Sequence, residues 1–548
     1  MVSPSPQAPV RTTRLALLGL LALALVLRLH GYAESVWIDE LFTSDFFCGH
    51  PLVLARTLYS DIHPPAYFVF IHFWNQIFGD GEVWLRLPPL LSGLASIVVL
   101  AKLGELHLGR RAGLVAAALL ALSPVHIWYS QEARPYATNL LLVLCAAYSY
   151  ERRQSDARAR WTWLYALSLF GTVFTHYYTA AYLVVFALFA RRDRAPGQRS
   201  LLLVNGVVGT LLALYMAAKA YFSYVPTAKS YLRGLDLGEA WDLGFEWFLT
   251  GDSLTPRMVE EPVGVYLLPV IQLLAVLVFA RGALRLLRER ERHGYHVLVH
   301  LFVLPGCLFA LNLLGLDHTY IERSALPALP FFFLVLAAGL TGWRAPRMER
   351  ATLVGTLAVA LVILGFARIH ARHWTVYKPN PDWRSAAAWI GERIDAGEAP
   401  RHLYTGPQSP SALTYYDPRI QEVKYFERND ERVDHLVHRL STTCGEDGFP
   451  GALLKESLRE SLAGLDELGR QAQESMAVEA RWLGQYDLLG LPPSEAPSRV
   501  LLLTQFGPDP LVDSVLRDSR TIVKDRHDVF GLTLYDLDLY PEPPVGSR

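Results

Sequence analysis

Two adjacent carboxylates, Asp39 and Glu40, stand in "ESVWIDELFTSDFF" just beyond the first long apolar run of the chain. Four further short stretches carry reactive types: "SDIHPPAYF" with Asp61 and His63, "YSQEARPY" with Gln131, Glu132, Arg134 and Tyr136, "THYYT" with His176 and Tyr177, and "LDHTYIERS" with Asp317, His318, Glu322 and Arg323. Each has an ordinary reading. Asp39 and Glu40 could be solvated loop carboxylates or a helix cap; His63 could be a turn residue before two prolines. Arg134 could snorkel from a helix end, and Tyr136, His176 and Tyr177 could belong to an interfacial aromatic belt. Together they form an inventory with one chemistry. Moving a sugar from a lipid phosphate to a hydroxyl needs a base for the acceptor proton, cations for the leaving phosphate and a carboxylate near an oxocarbenium-like centre. Asp39 can be the base. Arg134 presents a planar fork of donors suited to phosphate oxygens, and His63, His318 or Arg323 can add to that pocket.

The elements that must position them are membrane spans. Of 548 residues, 52% are hydrophobic and 19% charged, and the mean hydropathy is +0.21. With recurrent long apolar runs, this composition indicates a polytopic α-helical membrane protein. A formal net charge of -1 argues against a nucleic-acid partner. The opening "RTTRLALLGLLALALVLRLHGYAES" has the basic start and apolar centre of a signal peptide, but Arg28 and His30 stand where the small residues of a cleavage site belong, so it reads as an uncleaved anchor. Ten more spans fall near 87–103, 112–129, 136–150, 161–175, 177–190, 200–221, 263–280, 297–315, 325–342 and 351–367. Lys and Arg collect in alternate gaps, such as "AKLGELHLGRR", "ERRQSDARAR" and "RRDRAPGQR". The positive-inside rule makes those gaps cytoplasmic, which puts the amino terminus inside and the tail outside. The remaining gaps hold all five reactive stretches, and the topology made no use of them.

After about residue 370 the character changes. "RHLYT", "RVLLLTQF" and "FGLTLYDLDLY" read as strands and "NDERVDHLVHRL" as a helix, so 371–548 is expected to be an extracytoplasmic α/β domain following a transmembrane domain, 1–370, with a large first external loop, 31–86. This tail shows no Gly-rich phosphate loop, GxSxG, HExxH or internal repeat. Cys145 and Cys307 lie in apolar runs, and a Cys48 to Cys444 disulfide is open.

"WIDE" after the first span, "DIHPPAYF" followed by "FGDGEVWLRLPPLLSG", and "LSPVHIWYSQEARPYA" resemble the GT-C superfamily of membrane glycosyltransferases. Within it they are similar to the branch of protein O-mannosyltransferases and bacterial aminoarabinose transferases. The resemblance runs over about 14–180, is weaker in the later spans and is vague in the tail. It implies a polyprenyl-phosphate-linked sugar donor, inverting transfer on the extracytoplasmic face of a bacterial-type cell membrane, and amphipathic helices in the first external loop. Asp39 matches the family's catalytic aspartate and Glu40 its neighbour. Asp61 and His63 match the second acidic and basic positions, and Arg134 falls where members place a cation near the donor phosphate. His63 stands where aminoarabinose transferases carry Lys, which puts that particular sugar in doubt. His176 and His318 are candidates for the histidine that completes a metal site in some members. Dependence on a divalent cation is open, because a carboxylate pair near a His can serve a cation or none. Sugar and acceptor, whether protein, glycolipid or polysaccharide, are not legible.

Two other classes stay in view, a transporter or flippase of lipid-linked sugars and a non-catalytic membrane scaffold. Transporters set ionisable groups near the bilayer midplane on broken helices, often in repeated halves. Here the carboxylates fall in loops and no repeat is visible. A scaffold leaves Asp39, His63 and Arg134 unexplained, and Asp39→Asn abolishes only an enzyme.

Overall fold

The computed structural model describes residues 10–36, 38–45, 63–79, 81–193, 197–222, 242–251, 262–289, 291–314, 322–343, 345–371, 381–397, 402–405, 409–422, 424–427, 498–505, 516, 521–529 and 532–539. The chain forms two compact units, one of residues 1–33 with 54–378, the other of 34–53 with 379–548.

Among the described residues the first unit is built of helices: α1 (Val10–Leu29), then α3 (Pro65–Phe78), α4 (Glu82–Leu108), α5 (Arg110–Leu122), α6 (Pro124–Tyr129), α7 (Tyr136–Ser155), α8 (Ala159–Thr175), α9 (Ala181–Asp193), α10 (Gln198–Phe222), α11 (Trp247–Thr250), α12 (Pro262–Glu289), α13 (Glu291–Leu313), α14 (Leu329–Leu340) and α15 (Pro346–Ala371). Each stretch expected from hydropathy overlaps one of these helices, with breaks where local chemistry requires them. The run 112–129 divides into α5 and α6 because Pro124 has no N–H to donate, and Ser123 takes an extended ψ of 122° and caps α6 by accepting from His126 N at 3.3 Å. The run 177–190 opens instead as a 3-10 turn, Tyr177–Ala180, and a second one, Glu322–Ala328, precedes α14. Six helical segments among the described residues are long and apolar enough to cross a bilayer: Glu82–Leu108, Gln198–Ala220, Leu267–Glu289, Arg292–Leu313, Glu322–Leu340 and Pro346–Gly365.

Leu15 and Val26 on α1, Trp163 and Leu167 on α8, Leu203 and Leu214 on α10 and Val354 on α15 all point outward and are exposed. An apolar exterior of this kind belongs to a molecule dissolved in lipid. Inside, α4 and α5 approach so closely that a Cβ on Gly104 would lie 2.7 Å from Gly113 Cα. Small residues permit that backbone contact, the usual route to tight helix packing in a bilayer. α14 is buried along its whole length, from Leu329 to Leu340, and forms the centre of the bundle core with residues of α4, α5, α7, α9 and α13.

The second unit contains a five-stranded sheet in the order β2 (Lys424–Glu427), β1 (His402–Thr405), β3 (Ser498–Gln505), β5 (Leu532–Leu539), β4 (Thr521–Val529). β1 runs parallel to β2 and β3, while β5 is antiparallel to β3 and β4. The three strands expected from sequence are β1, β3 and β5; the helix expected at "NDERVDHLVHRL" and the Cys48 and Cys444 positions lie outside the described residues. α2 (Ile38–Asp45), α16 (Trp383–Asp395) and α17 (Ser409–Tyr416) complete the unit. Val36 and Leu41 share its core with Trp383, Ala386, Ile390, Leu413, Leu501 and Leu534.

Candidate functional site

Pro64 and Pro65 fix where α3 starts. Pro65 occupies the first helical position, where its missing N–H costs nothing, and His63 is left at the mouth of the helix. His63 Nε2 lies 3.0 Å from Arg134 Nη2, across 71 residues of sequence. Both groups pack on Phe68, the imidazole edge-on at 5.7 Å between centroids and the guanidinium 5.9 Å over the ring.

Arg134 owes its position to the turn "SQEARP" between α6 and α7. Arg134 N bonds back to Glu132 O at 2.7 Å and Gln131 N to Trp128 O at 2.8 Å, and the chain then enters α7 at Pro135. The turn is fastened from behind by Arg28, which is wholly buried. Its Nε donates to Ser130 Oγ at 3.1 Å, its Nη1 to the carbonyls of Ala24 and Ala121, and its Nη2 meets His126 Nδ1 at 2.7 Å. Gln131 completes the attachment by donating through Nε2 to the carbonyl oxygens of Arg28 and His30. Gly93 is required beside it, since a Cβ there would lie 2.8 Å from Ser130 Cβ.

The Thr172 carbonyl fixes the next part of the site. It accepts from Asn139 Nδ2 at 2.8 Å, Thr179 Oγ1 at 2.8 Å and His176 N at 3.3 Å, tying the end of α8 to α7. His176, in the gap between two spans, thereby comes to lie 6.2 Å from the Tyr136 ring, and Arg323 lies 5.8 Å over the other partner of that ring pair, Tyr136 itself. Burial, and then the charges of His63, Arg323 and Arg134, push His176 down to about 3. All three charged neighbours act in the same direction, so the imidazole sits in a positive field and stays neutral near pH 7. Its Nδ1 is buried and takes no hydrogen bond among the described residues.

Sequence reasoning passed over one member of this group. Lys219, near the end of α10 and buried, reaches Tyr177 OH at 3.4 Å and lies 5.4 Å from the centroid of its ring, while the Tyr177 hydroxyl donates to His63 O at 3.4 Å. The signal was present in "YMAAKAYF": an ionisable residue inside an apolar run is costly and so marks a site. Arg134, Lys219, Arg323, His63 and His176, drawn from five separate segments, thus gather in the first unit with Tyr136 and Tyr177 between them.

The remaining candidates stand elsewhere. Asp39 and Glu40 occupy the first turn of α2 in the second unit, Asp39 half-buried and Glu40 buried. Asp61 and His318 lie outside the described residues. Among the described residues no group of three or more His, Cys, Asp or Glu side chains is placed to hold a metal ion.

The sequence profile of the dolichyl-phosphate-mannose-protein mannosyltransferase family matches residues 62–223. The matched stretch covers "HPPAYF" and "LSPVHIWYSQEARPYA" and contains His63, Gln131, Arg134, Tyr136, His176 and Lys219, while "WIDE" and Asp61 lie ahead of it. A search of curated protein sequences returned no match. Among solved structures, ArnT from Cupriavidus metallidurans bound to undecaprenyl phosphate is similar at 14% identity and a TM-score of 0.48, with 99% of each chain covered. The oligosaccharyltransferase AglB from Archaeoglobus fulgidus, in complex with an inhibitory peptide and a dolichol-phosphate, is similar at 11% identity and a TM-score of 0.45, over 75% of this chain and 64% of that one.

Proposed function

We propose that this chain is a membrane glycosyltransferase that moves a sugar from a polyprenyl-phosphate-linked donor to an acceptor hydroxyl on the extracytoplasmic face, with inversion. The observation that carries the reading is the gathering of Arg134, Lys219, Arg323, His63 and His176 around two tyrosines, within and beside the stretch that the mannosyltransferase profile matches. Such a group fits a lipid-borne phosphate. Arg134 offers a fork of donors, Lys219 a point charge, and the aromatic faces give the prenyl end an apolar surround. Neutral His176 accepts a proton readily once an anion lies beside it.

In the reaction the acceptor oxygen attacks the anomeric carbon on the face opposite the phosphate. The bond from that carbon to the phosphate oxygen breaks, its electron pair stays on the phosphate, and the polyprenyl phosphate leaves with one more negative charge. Arg134 and Lys219 stabilise that developing charge, which is where fixed donors contribute most. Asp39 takes the acceptor proton.

The test compares lipid extracts by mass spectrometry from cells lacking the protein, complemented with wild type or Asp39→Asn at equal membrane abundance. Loss of a positioned acid or base costs roughly 100- to 10,000-fold. The reading expects a polyprenyl-phosphate sugar to accumulate in the deletion and to stay high with the Asn variant. A wild-type lipid profile from Asp39→Asn would remove Asp39 as the base.

A further inference from the structure

We infer that the C-terminal unit is the positioning device for the helix that carries Asp39. This rests on the assignment of Asp39 as base. α2 has eight residues, too few to be a stable helix alone, since isolated helices need about 12–15 residues even with favourable sequences. Its orientation has to come from what it is fastened to, and the fastenings are specific.

Ser35 and Val36, just ahead of α2, are both buried. Ser35 Oγ donates to Asp382 Oδ1 at 3.2 Å and accepts from Arg384 N at 3.2 Å. Asp382 is itself the cap of α16: Oδ1 accepts from Ser385 N at 3.1 Å and Oδ2 from Ser385 Oγ at 2.7 Å. Ser35 is therefore built into the first turn of α16 as an extra member of its cap. Val36 N then donates to Tyr416 OH at 2.8 Å, at the end of α17. Val36 and, one turn further on, Leu41 enter the apolar core of the unit beside Trp383 and Leu413. Asp39 lies between these two anchors, so its position is set by contacts that join Ser35 and Val36 to residues 347 and 380 places further along the chain. A base must be held to within a fraction of an ångström of its working position, and a displacement of 1 Å can cost about a hundredfold. Ser35, Asp382 and Tyr416 are positioning residues in this account.

The experiment uses the full-length chain with Ser35→Ala, Tyr416→Phe, the pair, and Ser35→Thr, which restores a hydroxyl. Tyr416→Phe keeps the ring on which Arg384 rests at 5.5 Å. Three readouts are taken: hydrogen exchange of peptides covering 34–45 and β3–β5, affinity for undecaprenyl phosphate in nanodiscs, and clearance of the accumulated lipid-linked sugar in cells. Each single variant is expected to lower protection of 38–45 and slow clearance by roughly tenfold, the pair by about a hundredfold. β3–β5 should stay protected, affinity for undecaprenyl phosphate should stay within about twofold, and Ser35→Thr should recover both losses. Wild-type clearance by a variant whose 38–45 protection has fallen overturns the inference, as does undiminished protection in the pair. If Asp39→Asn itself clears normally, the assignment of the base fails instead. Should Tyr416→Phe expose β3–β5 as well, Ser35→Ala, which removes one oxygen outside the core, decides the matter.

Discussion

α7 carries a polar cluster at each end, and the two are built on opposite plans. At its C-terminal end the carboxylates of buried Glu151 and half-buried Asp193 are met by matching partners. Glu151 pairs with His296 Nδ1 at 2.6 Å, Arg292 at 3.2 Å and His107 at 3.4 Å, and Asp193 with Arg292 and His296 Nε2, each at 3.3 Å, while accepting from Tyr150 OH at 2.9 Å. Two carboxylates, a guanidinium, the bridging imidazole of His296 and the imidazole of His107 tie α4, α7, α9 and α13 together. At the N-terminal end the bonds described for the cations run to an imidazole, a phenol and ring faces, and the charges acting on His176 all push one way. Buried charge is tolerable when its counter-charge is built in. The first cluster has it and holds helices; the second sets Arg134, Lys219 and Arg323 beside two tyrosines and a neutral imidazole, the group to which the proposed function assigns the donor phosphate.

Breaking each cluster should therefore give a different kind of damage. Glu151→Ala removes one of the two carboxylates that face exposed Arg292 and buried His296, leaving Asp193 alone to meet them, and should cost about 3–5 kcal/mol of stability. It is expected to lower the thermal midpoint of the solubilised protein sharply, with undecaprenyl phosphate affinity unchanged in the folded fraction. Arg134→Ala should do the reverse: near-normal thermal stability and a fall in turnover of roughly 100- to 1,000-fold, the usual result of removing one fixed donor to a developing oxyanion. Equal thermal damage from both would erase the distinction. Lys219→Gln sharpens it further. Lys219 acts as a point charge in a group of several cations, so about tenfold weaker binding of undecaprenyl phosphate is expected, measured in nanodiscs at two ionic strengths.

The same contrast governs what the sequence could reveal. Spans and the strands β1, β3 and β5 announce themselves through apolar runs and alternation. β2 and β4 do not. They are the outer strands of the sheet, and "KYFE" is very short while "TIVKDRHDV" carries the charges that protect an edge from unwanted pairing. His63, Arg134, His176 and Arg323 could be grouped because all fall in gaps on one expected face. Lys219 hides inside a span, and Arg28 in sequence says only that no cleavage site follows; its clamp on Ser130 and His126 depends on a partner about 100 residues away. The dependence of α2 on Asp382 and Tyr416 was equally out of reach, because nothing local marks a pairing between the start of the chain and its tail.

The smallest expected effect tests the sign of the field at the cationic end. His176 ordinarily titrates near 6.5 and is held down to about 3 by burial and its charged neighbours. Its depressed value means that the unfolded chain takes up a proton near 6.5 when the folded chain does not. The stability it contributes is complete above that pH and is lost as pH falls toward 3. An anion bound beside His176 opposes the neighbours and raises its pKa, so binding takes up a proton and affinity must increase as pH falls. A phosphate monoester has its own titration near pH 6 and would weaken with acid, which masks the effect in a single protein. The ratio of wild-type to His176→Gln affinity cancels the ligand's part. That ratio should rise between pH 7.5 and about pH 5, by roughly two- to fivefold if only part of the shift is reversed. A flat ratio would place the anion away from His176 and leave Arg134 and Lys219 as its seat; a falling one would mean that the field there is not positive.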